Sequence, residues 1–188
     1  MDGSENALIA LGGNAPSEQG QPAETLRAAL DRLDARGCRI RAVSRFYVTP
    51  CFPPGAGPDF VNAAAVLDCV GGPEEVLALL HEVEAEFGRE RLTRWGQRTL
   101  DIDLIAMGDA VLPDHDTHRA WRDMAPDEQG TRAPGCLILP HPRVQDRGFV
   151  LVPLADVVPE WRHPVLGQTV AEMLAALPEK ELEGVVPM

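Results

Sequence analysis

The sequence predicts an α+β fold whose strands and helices follow the order β-α-β-β-α-β, and three observations lead to it. Apolar runs with the composition of strands occur at residues 7–11, 60–70 and 99–106. Two segments between these runs place apolar residues at helical spacing and end at a glycine. With 188 residues, 45% of them hydrophobic, the chain can bury one core, so we expect a single domain over residues 1–188.

The first half of the fold is predicted from residues 7–70. Residues 7–11 are a short apolar run and therefore a buried strand. A helix follows and stops near Gly37; its apolar stripe consists of Leu26, Ala29, Leu30 and Leu33. Residues 40–48 and 60–70 are the next two strands. Segment 50–59 between them is a loop, because it is rich in proline and glycine.

The second half begins with a helix that opens at residues 71–73 and ends at Gly88. Its apolar face consists of Val76, Leu79, Leu80, Val83 and Phe87. The strand at 99–106 completes a ferredoxin-like sandwich, in which right-handed crossovers place both helices on one face of an antiparallel sheet. Residues 149–157 are predicted as an extra C-terminal strand and residues 170–177 as a short closing helix.

Segment 113–135 is polar and does not fit this pattern. Four of its side chains have the chemistry of metal ligands, namely Asp114, His115, Asp116 and His118. No helical or strand periodicity fixes their geometry, so a solvated loop is the expectation. Trp121 indicates that part of the loop packs back onto the body.

Composition excludes several classes of protein. The formal net charge of −12 and the pI of about 4.8 argue against nucleic acid as a partner. No run of residues is long and apolar enough to span a bilayer, and the amino terminus lacks a secretory signal. We therefore expect a soluble, cytoplasmic monomer. Its four cysteines, Cys38, Cys51, Cys69 and Cys136, are expected to be free thiols, since no C-x-x-C spacing occurs.

The most informative stretch is R-W-G-Q-R-T-L-D-I-D-L-I at residues 94–105. Side chains alternate along a strand, so Asp101 and Asp103 face the same way, about 6.6 Å apart. Two carboxylates on one buried face repel each other unless a cation compensates them. Because the ligands are oxygens with no histidine or cysteine beside them, the pattern favours Mg²⁺ over zinc.

A cluster of arginines precedes the two aspartates. Its members are Arg89, Arg91, Arg94 and Arg98, and Trp95 lies among them. Guanidinium groups bind phosphate oxygens, and Mg²⁺ with arginines stabilises a polyphosphate during phosphoryl transfer. Either half of the motif alone would favour a structural explanation, as a solvated strand edge or as surface ion pairs. The two halves together favour a phosphate site.

The motif resembles the signature of the 6-hydroxymethyl-7,8-dihydropterin pyrophosphokinase family. Three further segments are similar to the family and occur in its order. They are A-L-G-G-N at 10–14, S-R-F-Y-V-T-P with P-D-F-V-N-A-A between 44 and 64, and P-H-P-R-V-Q-D-R-G-F-V-L-V-P-L at 140–154. The resemblance implies Mg²⁺-dependent transfer of diphosphate from ATP to the pterin hydroxymethyl group, a step of folate biosynthesis that releases AMP.

The resemblance also implies the residues of the site. The catalytic residues would be Arg89, Arg98, Asp101 and Asp103, and the two aspartates would hold two Mg²⁺ ions. ATP contacts would come from Glu84, Arg91, Arg94, Trp95, Arg98, His141 and Arg147. The pterin would be bound by Thr49, Pro50, Phe60, Asn62 and Phe149. Without the resemblance, Phe60 and Phe149 would be interpreted as core residues, Glu84 as an exposed helix residue, His141 as a turn residue and Arg147 as a surface charge.

Two features depart from the family. Segment 113–135 is longer than the expected connection and is interpreted as an insertion. Residues 136–139 read C-L-I-L where some members carry an arginine and a threonine for ATP, and Arg132 is a candidate replacement. Two alternatives therefore stay open: an inactive pterin-binding or nucleotide-binding module of the same fold, and another Mg²⁺-dependent nucleotidyl or phosphoryl transferase.

Overall fold

The computed structural model of the protein describes residues 4–51, 55, 57–88, 98–125, 128 and 132–188. Its strands are β1 (Ser4–Gly13), β2 (Arg39–Val43), β3 (Tyr47–Thr49), β4 (Phe60–Val70), β5 (Asp101–Met107) and β6 (Val186–Pro187). Its helices are α1 (Pro22–Ala35), α2 (Pro73–Glu86), α3 (His115–Arg122), α4 (Gly148–Val157) and α5 (Val170–Ala176). With β2 and β3 together in the place of the second strand, the order β-α-β-β-α-β is present from β1 to β5, and the ferredoxin-like prediction is confirmed.

The described strands form one antiparallel sheet. Its order is β5-β1-β4-β3-β6, with β2 also paired to β4. The longest pairing joins β1 to β4, from Ser4 opposite Val70 to Gly13 opposite Val61. Strand β4 is buried along most of its length because elements cover both of its faces. A strand buried on both faces has a continuous run of apolar residues, and this run is the pattern from which the strand was predicted.

Helices α1 and α2 cover one face of the sheet, as predicted. The apolar stripe of α1 packs on β1 and β4, with Leu26 and Leu33 fully buried beside Leu67. Each helix begins at a proline, and an acidic side chain in its first turn accepts a backbone hydrogen bond. Glu24 accepts from Gln21 N at 2.7 Å, and Glu75 accepts from Gly72 N at 2.8 Å. These local signals explain why the sequence locates both helices correctly.

Helices α4 and α5 form a second core on the opposite face. Leu151, Leu154 and Met173 pack there against β1 and β4. The prediction of a strand at residues 149–157 is wrong, since this segment is α4. A helix buried on nearly all sides has the same uninterrupted apolar sequence as a buried strand, so periodicity does not separate the two. Strand β6 at the C-terminus was not predicted, and the closing helix at 170–177 is confirmed as α5.

Two smaller predictions also need correction. The single strand predicted at 40–48 is divided into β2 and β3. Between them Ser44 pairs through its backbone N–H with Ala64 O and accepts from Ala64 N through its hydroxyl, both at 2.9 Å. A side chain that replaces a ladder hydrogen bond interrupts a strand without changing its apolar pattern.

The expectation of four free thiols is wrong for Cys38 and Cys69, which form a disulfide. The register explains the pair, because β2 begins with Arg39 opposite Asp68. The preceding and following residues are therefore neighbours, with their Cα atoms 4.4 Å apart. Cys51 and Cys136 remain thiols. Spacing along the chain does not reveal a cysteine pair that only strand register creates.

Segment 113–135 is not the solvated loop that the sequence predicts, because it contains α3. Asp114 caps this helix, accepting from the backbone N–H and the hydroxyl of Thr117, each at 2.8 Å. His118 is its one buried residue, so the helix has no apolar stripe that periodicity could detect. Among the described residues, no three His, Cys, Asp or Glu side chains are grouped to hold a metal. None of the helices described has both the length and the apolar composition to span a bilayer.

Candidate active site

One end of the sheet brings together predicted site residues from three strands. In the register of the sheet, Gly12 on β1 lies between Asn62 on β4 and Asp101 on β5. Side chains two residues apart share a face, so Phe60 lies on the side of Asn62, and Asp103 on the side of Asp101. The second core, which contains α4, covers the same side of the sheet. The strands and α4 thus converge at one site.

The two aspartates of β5 face the same way, as the alternation predicts. Both are partly exposed, while Ile102 between them is buried in the first core. Each carboxylate has an arginine beside it: Arg98 pairs with Asp101, and Nη1 of Arg147 lies 3.8 Å from Oδ2 of Asp103. The arginines offset the repulsion between the two carboxylates. A cation that bound here would meet the carboxylate oxygens of two acidic side chains.

Glu84 supports the strand that carries the aspartates. It extends from α2, is only 1% exposed, and its Oε1 accepts a 2.6 Å hydrogen bond from Ile102 N. Among the described strands, β5 lies at the edge of the sheet, so this carboxylate accepts from a backbone N–H that no neighbouring described strand pairs with. The interpretation of Glu84 as an exposed helix residue is wrong. Its contact with ATP stays a prediction.

Residues 140–147 form a turn that lies against β5. Because the resemblance assigns His141 and Arg147 of this turn to ATP, we call the segment the nucleotide loop. The backbone N–H of His141 donates to Ile105 O at 2.7 Å. Its Nδ1 accepts from Arg143 N at 3.1 Å, so the neutral ring carries its proton on Nε2. Burial lowers the pKa of His141 to about 4, and the ring is neutral at pH 7. An Nε2–H group is therefore available as a donor.

Arg147 ends the nucleotide loop and is the N-cap residue of α4. Burial lowers the pKa of its guanidinium, which nevertheless stays a cation at neutral pH. Besides its approach to Asp103, its Cζ lies 5.7 Å from the centre of the Phe149 ring. Arg147 is therefore not the isolated surface charge that its sequence context also allowed. It stands between a carboxylate of β5 and an aromatic residue of α4.

The residues expected to bind the flat ring system form the other part of the site. Asn62 and Thr49 are buried, and Nδ2 of Asn62 donates to Oγ1 of Thr49 at 2.7 Å. A Cβ at position 12 would lie 2.7 Å from Oδ1 of Asn62, so Gly12 leaves the room that this amide occupies. Phe60 is half-buried and Phe149 is 39% exposed, so each ring presents surface to a ligand.

Asn14 joins two parts of the site, and the sequence analysis assigned it no role. Its Nδ2 donates to Pro58 O at 3.1 Å, and its Oδ1 accepts from Arg98 N at 2.9 Å. Its backbone N–H also donates to Arg98 O at 2.9 Å. The side chain therefore ties the 50–59 loop to Arg98. Its position directly after two glycines at the end of a strand was the available signal.

The described part of the structure does not test the roles of the remaining predicted site residues. Arg89, Arg91, Arg94 and Trp95 lie outside the described residues. Pro50 is exposed at the start of the 50–59 loop. Arg132, the candidate replacement for a missing ATP contact, is exposed, and its backbone N–H donates to Glu128 O at 3.0 Å. Those roles stay predictions.

Comparisons with known proteins agree with the resemblance in the sequence. The model of the 7,8-dihydro-6-hydroxymethylpterin-pyrophosphokinase family, abbreviated HPPK, matches residues 8–159. The 2-amino-4-hydroxy-6-hydroxymethyldihydropteridine pyrophosphokinase of Synechocystis sp. is 36% identical over 169 residues, covering 89% of this chain and 74% of that protein. The protein of the same name from Pseudomonas aeruginosa is 36% identical over 180 residues, covering 95% of this chain and 96% of that protein.

Solved structures match the fold. The crystal structure of Plasmodium falciparum HPPK-DHPS superimposes with a TM-score of 0.64 at 16% sequence identity. The match covers 92% of this chain and 41% of that one, so this chain spans about two fifths of the length of the solved protein. The same protein with pteroate gives a TM-score of 0.65 at 14% identity, over 93% of this chain and 44% of that one. At such identities the likeness supports the fold alone.

Proposed function

The chain belongs to the 7,8-dihydro-6-hydroxymethylpterin-pyrophosphokinase family, and on that premise we propose which of its residues carry out the reaction. The enzyme transfers the diphosphate of ATP to 6-hydroxymethyl-7,8-dihydropterin in folate biosynthesis. One observation supports the assignment above all others. Asp101, Asp103 and Asn62 share one face at the same end of the sheet, and Arg147 and Phe149 come to them from α4.

We assign the metal site to Asp101 and Asp103, as a site for two Mg²⁺ ions. The fit rests on two partly exposed carboxylates on one face of β5, whose oxygens are the ligands that Mg²⁺ prefers. When bound, Mg²⁺ neutralises phosphate charge and aligns the phosphate oxygens. Arg98 and Arg147 pair with these carboxylates and would turn to the phosphates of ATP.

We propose that ATP is bound by the arginine-rich segment, residues 89–98, and by the nucleotide loop. The assigned residues are Glu84, Arg89, Arg91, Arg94, Trp95, Arg98, His141 and Arg147. Of these, His141 is held neutral by burial and has an Nε2–H that can donate to a phosphate or ribose oxygen. Arg147 offers a cation beside Asp103.

We assign the pterin to Thr49, Pro50, Phe60, Asn62 and Phe149. The partly exposed rings of Phe60 and Phe149 suit stacking on a flat heterocycle. The amide of Asn62, oriented by Thr49, suits the polar edge of the ring. Stacking supplies affinity, and the hydrogen bonds select the heterocycle.

The proposed chemistry is an in-line attack by the pterin hydroxymethyl oxygen on the β-phosphorus of ATP, with AMP as the leaving group. Arg89 and Arg98 stabilise the charge that develops on the transferred group. A loose phosphoryl-transfer transition state needs positioning and electrostatic stabilisation more than a strong base. The pairing of Arg98 with Asp101 and of Arg147 with Asp103 supports such an electrostatic role.

We further propose that the chain works in the cytoplasm as a single-domain monomer on small molecules and not on nucleic acid. The net charge of −12 supports the absence of a nucleic-acid partner, because most of the protein would repel a polyanion, the arginine-rich segment excepted. Light scattering coupled to size exclusion tests the oligomeric state, with a mass near 20.4 kDa expected. A mass of twice that value would contradict it.

Product analysis tests the function. The purified protein is mixed with ATP, Mg²⁺ and 6-hydroxymethyl-7,8-dihydropterin, and the nucleotides are separated. We expect AMP and the pterin diphosphate in equal amounts, with AMP absent when the pterin is omitted. Release of inorganic pyrophosphate would indicate a nucleotidyl transferase, and ligand binding without AMP would indicate an inactive binding module.

A further inference from the structure

Segment 113–135 is joined to the body directly in front of the nucleotide loop. At its base, Leu112 N donates to Leu139 O at 2.8 Å and Leu139 N donates to Leu112 O at 3.2 Å. This two-bond bridge joins the residue before the segment to Leu139, which directly precedes Pro140. The position of α3 and the position of the nucleotide loop are therefore coupled through the backbone.

His118 makes a second and more specific connection. It is fully buried on a helix whose other residues are half-buried or exposed, and its Nε2 lies 2.9 Å from Pro140 O. Pro140 O and His141 N belong to the same peptide group, and the N–H of that group donates to Ile105 O at 2.7 Å. This peptide is thus held from both sides, by α3 at its carbonyl and by β5 at its N–H.

The chemistry of the contact fixes the state of His118. A carbonyl oxygen only accepts, so Nε2 must donate and Nδ1 of the neutral ring is unprotonated. Burial lowers the pKa of His118, and the nearby Arg122 and His115 lower it further. The ring therefore stays neutral at pH 7 and keeps one directed N–H for the nucleotide loop.

A second buried imidazole fixes the orientation of the first. The ring centres of His118 and His163 are 5.8 Å apart, and the Trp161 ring lies 5.8 Å from His163 on an edge. His163 is itself held, since its Nδ1 accepts from Val165 N at 3.1 Å and Leu166 N at 3.2 Å. His118 is therefore enclosed between the nucleotide loop and a turn before α5.

We propose that α3 braces the nucleotide loop and that His118 is a positioning residue for ATP binding. The inference rests on the proposed assignment of His141 and Arg147 to ATP. The Pro140 peptide sets the direction of the chain into His141, whose ring caps Arg143 N, and four residues later the loop delivers Arg147 to Asp103. A rotation of this peptide would move both ATP residues.

Steady-state kinetics of the full chain test the proposal. His118→Leu removes the donor and keeps a side chain of similar size, and we expect the KM for ATP to rise about 5-fold to 20-fold, since a buried carbonyl loses its partner. The KM for the pterin should change less than twofold. His118→Gln returns an N–H donor at about the reach of Nε2, and it should restore the KM for ATP to within about threefold of wild type.

Two comparison variants separate this role from loss of stability and from failure of the proposed site. Leu33→Ala opens a cavity in the first core, on the other face of the sheet, and should lower the melting temperature without changing the KM for ATP. Arg147→Ala should raise the KM for ATP. If Arg147→Ala has no such effect, both the ATP assignment and the brace fail. If Arg147→Ala raises that KM and His118→Leu does not, only the brace fails.

Amide hydrogen exchange gives a readout that a purely structural role would not produce. In folded His118→Leu, the amides of His141 and Arg143 should exchange at least tenfold faster than in wild type, while amides of α1 exchange at wild-type rates. Equal acceleration in both regions would mean general destabilisation and would overturn the proposal. Unchanged exchange in the nucleotide loop would overturn it as well.

Discussion

Arg147 places its Nη1 3.8 Å from Oδ2 of Asp103, and this approach links the two halves of the active site. Asp103 belongs to the strand that we assign to the metal, and Arg147 begins the helix that carries Phe149. At 3.8 Å the pair is loose and partly exposed, so its contribution to stability is small. The role that we propose for the pair is to place a cation between the proposed sites for the ATP phosphates and the pterin ring.

Arg147→Ala is expected to weaken ATP binding more than pterin binding. We expect the KM for ATP to rise about 10-fold to 100-fold, because a partly desolvated guanidinium contact to phosphate is lost. The melting temperature should change little. Arg162→Ala is the matched control, since Arg162 pairs with Glu172 at 3.6 Å on the surface. An unchanged KM for ATP in Arg147→Ala would contradict the assignment.

Gly12→Ala is expected to impair pterin binding selectively. The added Cβ would lie 2.7 Å from Oδ1 of Asn62, so the amide must rotate away from the polar edge of the pterin. Loss of one or two hydrogen bonds corresponds to a KM for the pterin raised about tenfold. Gly135→Ala serves as the control, because its Cβ would meet nothing within 4 Å. A parallel rise in the KM for ATP would indicate instead that β5 had moved.

Stability is expected to fall as the pH is lowered, and His163 should contribute to this. Burial lowers its pKa from 6.5 to about 4. Between these values the unfolded chain binds a proton that the folded chain does not, so the contribution is complete above pH 6.5 and is lost as the pH falls to 4. The expected loss is about 3 kcal/mol.

Urea unfolding of wild type and His163→Asn at pH 7.5 and pH 4.5 checks this expectation. Asparagine keeps an acceptor near the position of Nδ1 and does not titrate. The free energy of unfolding of wild type should fall more steeply than that of His163→Asn over this interval. Equal slopes for the two proteins would show that His163 titrates normally in the folded state.

The sequence predicted the parts of the fold whose signals are local. The helical spacing of Leu26 and Leu33 and the alternation of Asp101 and Asp103 both survive in the structure, because each depends on one element only. The long apolar run of β4 also predicts a strand correctly, since a strand covered on both faces has no alternation of polar and apolar residues.

Features that depend on contacts between two elements could not be predicted from the sequence. The Cys38–Cys69 disulfide exists because of the register of β2 on β4. The role of Gly12 depends on the side chain opposite it, and Glu84 is buried because β5 leaves an N–H for it to bind. Helix α4 was predicted as a strand because neighbours cover it on nearly all sides. Tertiary contacts, absent from any local pattern, decide each of these cases.

The central claim is that Asp101 and Asp103 hold the two metal ions that bind ATP beside the pterin. Titration with Mn²⁺, followed by electron paramagnetic resonance in the presence of a nonhydrolysable ATP analogue and the pterin, counts the bound ions. We expect two ions per chain in wild type and in Asp116→Asn, a control at an exposed aspartate. Asp101→Asn and Asp103→Asn should each bind at most one ion, and their pterin-dependent AMP formation should be about 1000-fold lower than that of wild type. Two ions bound with wild-type affinity by both active-site variants would contradict the claim.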